Sequence, residues 1–371
     1  MSSKKIVVHS ENTTQHTQNT SQESFGYKNY SIAREAFTLF VGSWNVGGVT
    51  PPDDLELEEL LDFQNCRADI YVLGFQEIVP LKAGNVLGID DTNTCSKWNA
   101  LIGVALNTRR VTKGVIDASE AGEIQRIYPM KTANSTAPDF QCLISKQMVG
   151  VFITVWVRKE LHGYIRHPSF SCVGCGIFGY LGNKEEKGDE RQRNIDAANI
   201  LSRTLFPAES IQDLPRKILD HEGVVWFGDL NYRIHLPDTT IRSLVARKEW
   251  GTLLQNDQVA KYACRRPCLG GWHEDEIEFA PTYKYNQNSD DYYVSDHRLK
   301  AKKRRAPAWC DRIIWFGKGL KQIWYARGES RLSDHRPIRA IFMVGNEFTG
   351  TKKEPGDPMS NGFVDIPNHF T

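Results

Sequence analysis

The stretch that decides the fold is Arg305-Ala306-Pro307-Ala308-Trp309-Cys310-Asp311-Arg312, near the carboxyl end of the chain. It continues a basic run that begins at Lys302, and Ser333-Asp334-His335 follows it. This part of the chain therefore supplies cations, carboxylates and a histidine. Together with oxygen ligands elsewhere, these are the groups that metal-assisted hydrolysis of a multiply charged phosphate ester requires.

Other polar residues lie at the ends of predicted strands. Runs of apolar residues predict strands at 37–44, 69–75, 223–227 and 335–344. The polar residues at their ends are Asn45, Glu77, Asp229, Asn231, Asp334 and His335. Polar groups at strand ends share one rim of a packed sheet, so we expect a single site there.

The chemistry of these residues predicts a role for most of them. Mg²⁺ takes oxygen ligands and keeps several waters, which makes Glu77 and Asn45 the predicted metal ligands. Asp229 is expected to orient or deprotonate the attacking water. His335 is expected to contact the transferring phosphoryl group, while Asp334 holds its ring or reaches the metal.

Each feature also has an ordinary structural interpretation. Asn45 alone could cap a turn, Gln76-Glu77 could be a surface pair, and Asp334-His335 could be structural. The basic run Lys302–Arg305 could be a nuclear-localisation-like patch or a solvated face. The ordered combination of all four is much less expected by chance, and it favours a phosphate-ester site.

Composition restricts the class of protein. The 371 residues are 40% hydrophobic and 25% charged, and the net charge of +1 selects neither nucleic acid nor membrane. No apolar run approaches the roughly 18 residues that a membrane span needs, and the N-terminus is too weakly apolar for a signal peptide. We therefore expect a cytoplasmic protein, with peripheral contact at the plasma membrane as an open alternative; the sequence does not predict its oligomeric state.

The cysteines do not indicate a disulfide framework, because there are only eight in a chain of this length. Cys172 and Cys175 lie in 170–178, which we interpret as a buried strand with structural thiols.

The chain is predicted to be one domain with two loose ends. Residues 1–30 are polar and predict a disordered tail, and 346–371 predict a flexible C-terminal tail. Between them, 31–345 alternate short strands with helices, which favours sheets layered with helices. The alternation over 146–158 predicts one strand, and Asp238 is a predicted helix N-cap.

Five motifs resemble those of the inositol polyphosphate 5-phosphatases, most closely the plant branch. They are Ser43–Val46, Asp69–Glu77, Trp226–Ile234, Pro281–Tyr285 and Arg305–Arg312. The last two motifs distinguish this family from nucleases of the same fold. The resemblance implies a DNase I-like four-layer α/β sandwich, in which two mostly antiparallel sheets pack face to face and helices flank them.

The resemblance also implies a reaction and a set of site residues. It implies removal of the 5-phosphate from inositol polyphosphates or phosphoinositides, such as phosphatidylinositol 4,5-bisphosphate, with Mg²⁺. The implied metal ligands are Asn45 and Glu77, and the implied catalytic residues are Asp229, Asn231, Asp334 and His335. The implied substrate-binding residues are Lys184, Tyr283, Lys284, Arg305 and Arg312. A nuclease of the same fold is a weaker alternative, and no nucleic-acid partner is expected.

One segment departs from the family pattern. After Lys184 the chain passes directly to Glu185, where the family has about two strands that end in a His-Leu motif. Loss of that histidine is expected to lower the rate by about 10²–10⁴-fold, and loss of the strands opens a sheet edge. The sequence therefore predicts a shortened splice form or an imperfect gene model, with a catalytically impaired inositol phosphate-binding protein as the alternative function.

Overall fold

The computed structural model describes residues 5–11, 36–61, 67–80, 92–108, 138–173, 189–207, 215–259, 271–294 and 305–345. Its strands in chain order are β1 (Lys5–Glu11), β2 (Phe37–Asn45), β3 (Ile70–Gln76), β4 (Phe140–Met148), β5 (Val151–Arg158), β6 (Arg166–Val173), β7 (Gly223–Asp229), β8 (Trp272–His273), β9 (Asp311–Gly317), β10 (Leu320–Arg327) and β11 (Ile338–Val344). Its helices are α1 (Glu58–Leu61), α2 (Thr92–Asn107), α3 (Asp189–Arg203), α4 (Asp238–Ala246) and α5 (Trp250–Leu254), with 3-10 turns at Lys159–Tyr164 and Ile218–Asp220.

The strands form two packed sheets and a separate pair. The larger sheet has the order β10-β11-β2-β3-β5-β4, and its pairs are antiparallel except for β2 with β3. The smaller sheet has the order β7-β9-β8 and is antiparallel. Strands β1 and β6 pair with each other.

An apolar core joins the inner faces of the two packed sheets. Val41 and Phe342 of the larger sheet share a buried cluster with Ile313 of the smaller one. The two sheets approach closely at Gly74, where an added Cβ would lie 2.6 Å from the ring of Phe227. Glycine at this position of β3 is therefore what lets the Phe227 ring of β7 approach the larger sheet.

Helices cover the outer faces of both sheets. On the larger sheet, Trp98 of α2 lies 4.4 Å from Phe75, measured between ring centres. On the smaller sheet, Ile200 of α3 shares a buried cluster with Trp226 and Ile314. The order helix, sheet, sheet, helix is the predicted four-layer sandwich, so the fold prediction is confirmed.

Three local predictions need correction. The strand predicted over 146–158 is broken by a turn at Val149 and Gly150, and Met148 pairs with Val151 across this hairpin. Of the buried strand predicted over 170–178, residues 170–173 belong to β6, in which exposed and half-buried side chains alternate and Cys172 is exposed, whereas 174–178 lie outside the described residues. Residues 5–11, predicted to be disordered, form β1, whereas 12–30 and 346–371 lie outside the described residues.

The predicted N-cap of α4 is also wrong. Pro237 is the N-cap residue, and Asp238 is the first residue of the helix. Its carboxylate is held instead by Arg242, one turn further along the same helix, at 2.9 Å.

Candidate active site

The candidate site lies where strands of both packed sheets end. In the larger sheet Asn45 pairs with Gln76, the residue before Glu77, because β2 and β3 run parallel and end together. In the smaller sheet Asp229, the last residue of β7, pairs with Asp311, the first residue of β9. Packing of the two sheets brings these two ends into contact.

Asn45 links the carboxylates of the two sheets. Its Nδ2 donates to Glu77 Oε1 and to Asp229 Oδ2, each at 3.0 Å, and its Oδ1 accepts from the backbone N–H of Gly47 at 3.0 Å. Burial, together with the charge of Asp229, raises the pKa of Glu77 despite the hydrogen bond from Asn45. The pKa of Asp229 is also raised, by burial and by the neighbouring Asp311.

His335 lies beside this cluster and is held by Asp311. Its Nδ1 donates to Asp311 Oδ2 at 2.8 Å, and the same oxygen accepts from Thr282 Oγ1 at 2.6 Å. Burial lowers the pKa of His335, but the Asp311 carboxylate outweighs it and raises the pKa to about 9. At neutral pH the ring is therefore an imidazolium whose Nε2–H remains as a donor.

The backbone adopts left-handed conformations around the cluster. The φ angles are 53° at Glu77 and 60° at Asn231, and Gly228 has φ 131°. Non-glycine residues occupy this region at a cost of about 1–2 kcal/mol, less for Asn. At Asn231 the turn is supported by its N–H, which donates to Asp229 Oδ1 at 2.9 Å.

Asp334 is paired with a lysine from a neighbouring loop. Lys284 Nζ donates to Asp334 Oδ2 at 2.6 Å, and the charges of His335 and Lys284 overcome burial to lower the pKa of Asp334. The prediction that Asp334 holds the His335 ring is wrong, since the carboxylate at Nδ1 belongs to Asp311. Gly47 lies close by, and an added Cβ there would be 3.2 Å from Asp334 Oδ1.

Tyr283 connects His335 to a set of cations. The ring centres of Tyr283 and His335 are 4.5 Å apart, and Arg305 Nη1 donates to Tyr283 Oη at 3.3 Å. The guanidinium of Arg233 lies 4.6 Å from the centre of the same ring, and Lys284 Nζ lies 5.5 Å from it. The structure therefore places three positive side chains around one aromatic ring beside the carboxylates.

Arg312 does not belong to this site, and the prediction that it binds substrate is wrong. Its guanidinium is almost fully buried and is bound by Asp257 at 2.7 Å and by Glu274. The reason is strand geometry, since successive residues of β9 point to opposite faces of the sheet. Asp311 faces the site and Arg312 faces away from it.

The sequence interpretation missed two residues of the site. Asp311 lies inside the motif that was singled out, and the alternation of side chains along β9 was the signal that could have assigned it. Arg233 lies inside the Trp226–Ile234 motif, two residues after Asn231, but no role was predicted for it. Lys184 and the basic residues 302–304 lie outside the described residues.

The donor set fits a divalent cation. Glu77, Asp229 and Asp311 offer hard carboxylate oxygens, whereas Asn45 directs its Nδ2 at two of these carboxylates and its Oδ1 at the Gly47 N–H. Asp229, Asp311 and His335 have ligand atoms within 4.8 Å of one another. Asp311 Oδ1 is buried without a hydrogen-bond partner within the described part of the chain. The pKa values of Glu77 and Asp229 are raised, and a bound cation would stabilise the charged form of both carboxylates.

Comparison with known proteins shows to which family the chain belongs. The sequence profile of Endonuclease/Exonuclease/phosphatase family 2 matches residues 42–189 and 184–341. Type IV inositol polyphosphate 5-phosphatase 9 of Arabidopsis thaliana is 49% identical over 341 residues, covering 85% of this chain and 79% of the relative. Type I inositol polyphosphate 5-phosphatase 8 of the same plant is 43% identical, covering 87% of this chain and 74% of the relative.

A solved structure of a 5-phosphatase domain has a similar fold. The inositol polyphosphate 5-phosphatase domain of SPsynaptojanin, in complex with inositol (1,4)-bisphosphate and calcium ion, matches with a TM-score of 0.64 and 25% identity. The match covers 84% of this chain and 85% of that domain. From the matched profile, the identity of the plant relatives and the shared fold, this chain belongs to the inositol polyphosphate 5-phosphatase family.

Proposed function

We propose that this chain is a Mg²⁺-dependent phosphomonoesterase that removes the 5-phosphate from inositol polyphosphates or phosphoinositides. The observation that carries the proposal is the bridge from Asn45 to both Glu77 and Asp229, next to the His335–Asp311 pair. Oxygen ligands, a carboxylate base and an imidazolium thus surround one pocket. The names of the plant relatives and the ligand of the SPsynaptojanin domain support the choice of substrate.

The residues divide the work by their chemistry. Glu77 and Asn45 would hold Mg²⁺, which would neutralise phosphate charge when bound. Asp229 accepts a proton from water, a role that its raised pKa favours. The imidazolium of His335 donates from Nε2 to a phosphoryl oxygen, and Asp311 keeps the ring oriented.

The cations around Tyr283 suit a substrate with more than one phosphate. Lys284 and Arg305 carry their charges at the edge of the pocket, where a second phosphate of the ring would lie. Asn231 and Asp334 complete the lining, the latter by holding Lys284. Lys184 is proposed to join them, as the family motif implies.

A phosphate-release assay tests this proposal. The substrates are inositol 1,4,5-trisphosphate and phosphatidylinositol 4,5-bisphosphate vesicles, each with Mg²⁺ and with EDTA. The expected result is release in Mg²⁺ that EDTA abolishes and that His335→Ala reduces. A folded wild-type chain that releases phosphate equally in EDTA would contradict it. The two substrates distinguish activity on a soluble inositol phosphate from activity on a lipid, and the lipid also tests peripheral action at the cytoplasmic face of the plasma membrane.

No helix among the described residues is long and apolar enough to cross a membrane.

A second candidate is an inositol phosphate-binding form with slow turnover. The two profile segments overlap at 184–189, which is where the sequence predicts that a His-Leu segment is missing. Strand β7, which carries Asp229, is the edge of the smaller sheet among the described residues, and this is where further strands would pair. Inserting the missing segment of the 49% identical relative after Lys184 distinguishes the two candidates: a rise in kcat of about 10²–10⁴-fold supports the slow form, and an unchanged kcat contradicts it.

A further inference from the structure

Arg233 is the charged residue of the pocket that has no role in the reaction described above. Its Nη2 donates to Asn231 Oδ1, and its guanidinium carbon lies 4.6 Å from the centre of the Tyr283 ring. Burial acts to lower the pKa of Arg233, but Cys310, Tyr283 and Asp229 raise it overall, so the side chain stays a cation. The guanidinium therefore connects Asn231 to an aromatic ring.

This contact determines which part of the Asn231 amide remains available. The backbone N–H of Asn231 donates to Asp229 Oδ1 at 2.9 Å, which fixes the left-handed turn. The side-chain oxygen accepts from Arg233, and the remaining Nδ2 carries two N–H donors. Donors suit a phosphate, whereas the amide oxygen in the opposite orientation would repel it.

The Tyr283 ring gives the guanidinium a rigid support. The ring is buried, contacts His335 at 4.5 Å between ring centres, and accepts from Arg305 through its hydroxyl. A planar guanidinium can stack on this ring and donate to Asn231 at the same time. A lysine ammonium has the same charge but not this planar fork, so Arg and Lys are not equivalent here.

We propose that Arg233 is a positioning residue that holds the Asn231 amide with its N–H groups directed at the phosphate undergoing hydrolysis. The inference rests on the proposed function, because it assigns the donor that recognises the phosphate of that substrate. It predicts that Arg233 and Asn231 act as one unit. Two residues that act in series give a double variant no worse than the more damaging single variant.

The test uses four variants of the full chain, Arg233→Met, Arg233→Lys, Asn231→Ala and the double Arg233→Met/Asn231→Ala. The matched control is Arg67→Met, since the guanidinium of Arg67 also lies over an aromatic ring, 5.3 Å from the centre of Phe140, but away from the Asn231 turn. Binding of inositol 1,4,5-trisphosphate is measured by calorimetry in EDTA, where the proposed reaction does not consume the ligand. Thermal unfolding checks that each variant is folded, and kcat and KM are measured in Mg²⁺.

The expected result is weaker binding by about tenfold in Arg233→Met and in Asn231→Ala, which corresponds to one charge-assisted hydrogen bond. The double variant should bind no more weakly than Asn231→Ala, and Arg67→Met should match wild type. Arg233→Lys should recover only part of the loss. If Arg233→Met does not fold, the cycle with Arg233→Lys and Asn231→Ala replaces it.

Three binding results would overturn the inference. Multiplied losses in the double variant would mean that Arg233 contacts phosphate independently of Asn231, and wild-type affinity in Arg233→Met would remove its role altogether. Absence of trisphosphate binding to the wild type in EDTA would also overturn it. Coupled binding losses without Mg²⁺-dependent release would support the inference while refuting the proposed function.

Discussion

The Asp311→Asn substitution tests whether the Asp311 carboxylate keeps His335 positively charged. Asparagine has nearly the same shape, but it removes the charge at the Oδ2 atom that lies 2.8 Å from His335 Nδ1. Burial of His335 acts to lower its pKa, and the Asp311 carboxylate is the largest influence that raises it to about 9 from 6.5. In the variant we expect the pKa of His335 to fall toward or below its ordinary value.

The size of the pKa shift of His335 gives the expected contribution to the free energy of unfolding. A pKa of about 9 in the folded state against 6.5 unfolded corresponds to a stabilisation of about 3 kcal/mol in the metal-free protein. Because the folded pKa is the higher one, this stabilisation is complete below pH 6.5 and is lost as the pH rises to about 9. Asp311→Asn should flatten the fall of the unfolding free energy over this range, and kcat/KM in Mg²⁺ should fall by about 10²–10⁴-fold.

The assay is urea unfolding at a series of pH values in EDTA, combined with phosphate release in Mg²⁺. Thr282→Val serves as the control, because it removes the hydrogen bond to Oδ2 at 2.6 Å and keeps the carboxylate. That variant should lose some stability at every pH but keep the wild-type slope. A wild-type slope in Asp311→Asn, or wild-type kcat/KM, would refute the argument that Asp311 charges and orients His335.

Three further predictions concern packing, burial and charge. Arg312→Met should lower the unfolding free energy by about 3–5 kcal/mol, because it removes the ion-pair partner of the buried Asp257 and of the partly buried Glu274. Its kcat per folded molecule should stay unchanged; urea unfolding and phosphate release check both. Gly74→Ala should cost about 1–3 kcal/mol in urea unfolding because its Cβ would meet Phe227 at 2.6 Å, and a Phe227→Leu change in the same chain should recover part of the loss. Lys284→Met should raise the KM for inositol 1,4,5-trisphosphate by about tenfold in a steady-state assay, with a smaller change in kcat. An unchanged KM would remove Lys284 from the substrate pocket.

The sequence predicted most of the site because strand ends can be located from apolar runs. Asn45 and Asp229 follow such runs directly, and both lie in the cluster. Alternation along β9 puts Asp311 and Arg312 on opposite faces, so only one of them can line the site; the family resemblance implied Arg312, whereas Asp311 is the residue that contacts His335. That choice depends on which side of β9 packs against the other sheet, a property of tertiary structure.

The hairpin at Val149 and Gly150 shows a second limit. Val149 and Val151 keep the alternation that predicts one continuous strand, so the apolar pattern crosses the turn unchanged. The partner of His335 shows a third limit, because Asp334 is its neighbour in sequence whereas Asp311 approaches it from another strand. Sequence neighbours are a poor guide to side-chain partners wherever a long-range pairing supplies a better one.

The site depends on the packing of two sheets more than on either sheet alone. Asn45 belongs to the larger sheet and Asp229 to the smaller one, and one 3.0 Å hydrogen bond joins them across the interface. Within the described residues, Asp229 ends a strand whose only strand partner is β9, so this bond and the pairing with Asp311 hold its position. A change that shifts β7 should therefore lower kcat before it unfolds the domain, because a displacement of about 1 Å at a reacting group can cost about 10²-fold in rate. Phe227, which faces Gly74 across the two sheets, lies on β7 together with Asp229. Gly74→Ala should consequently reduce kcat by more than its effect on the folded fraction explains.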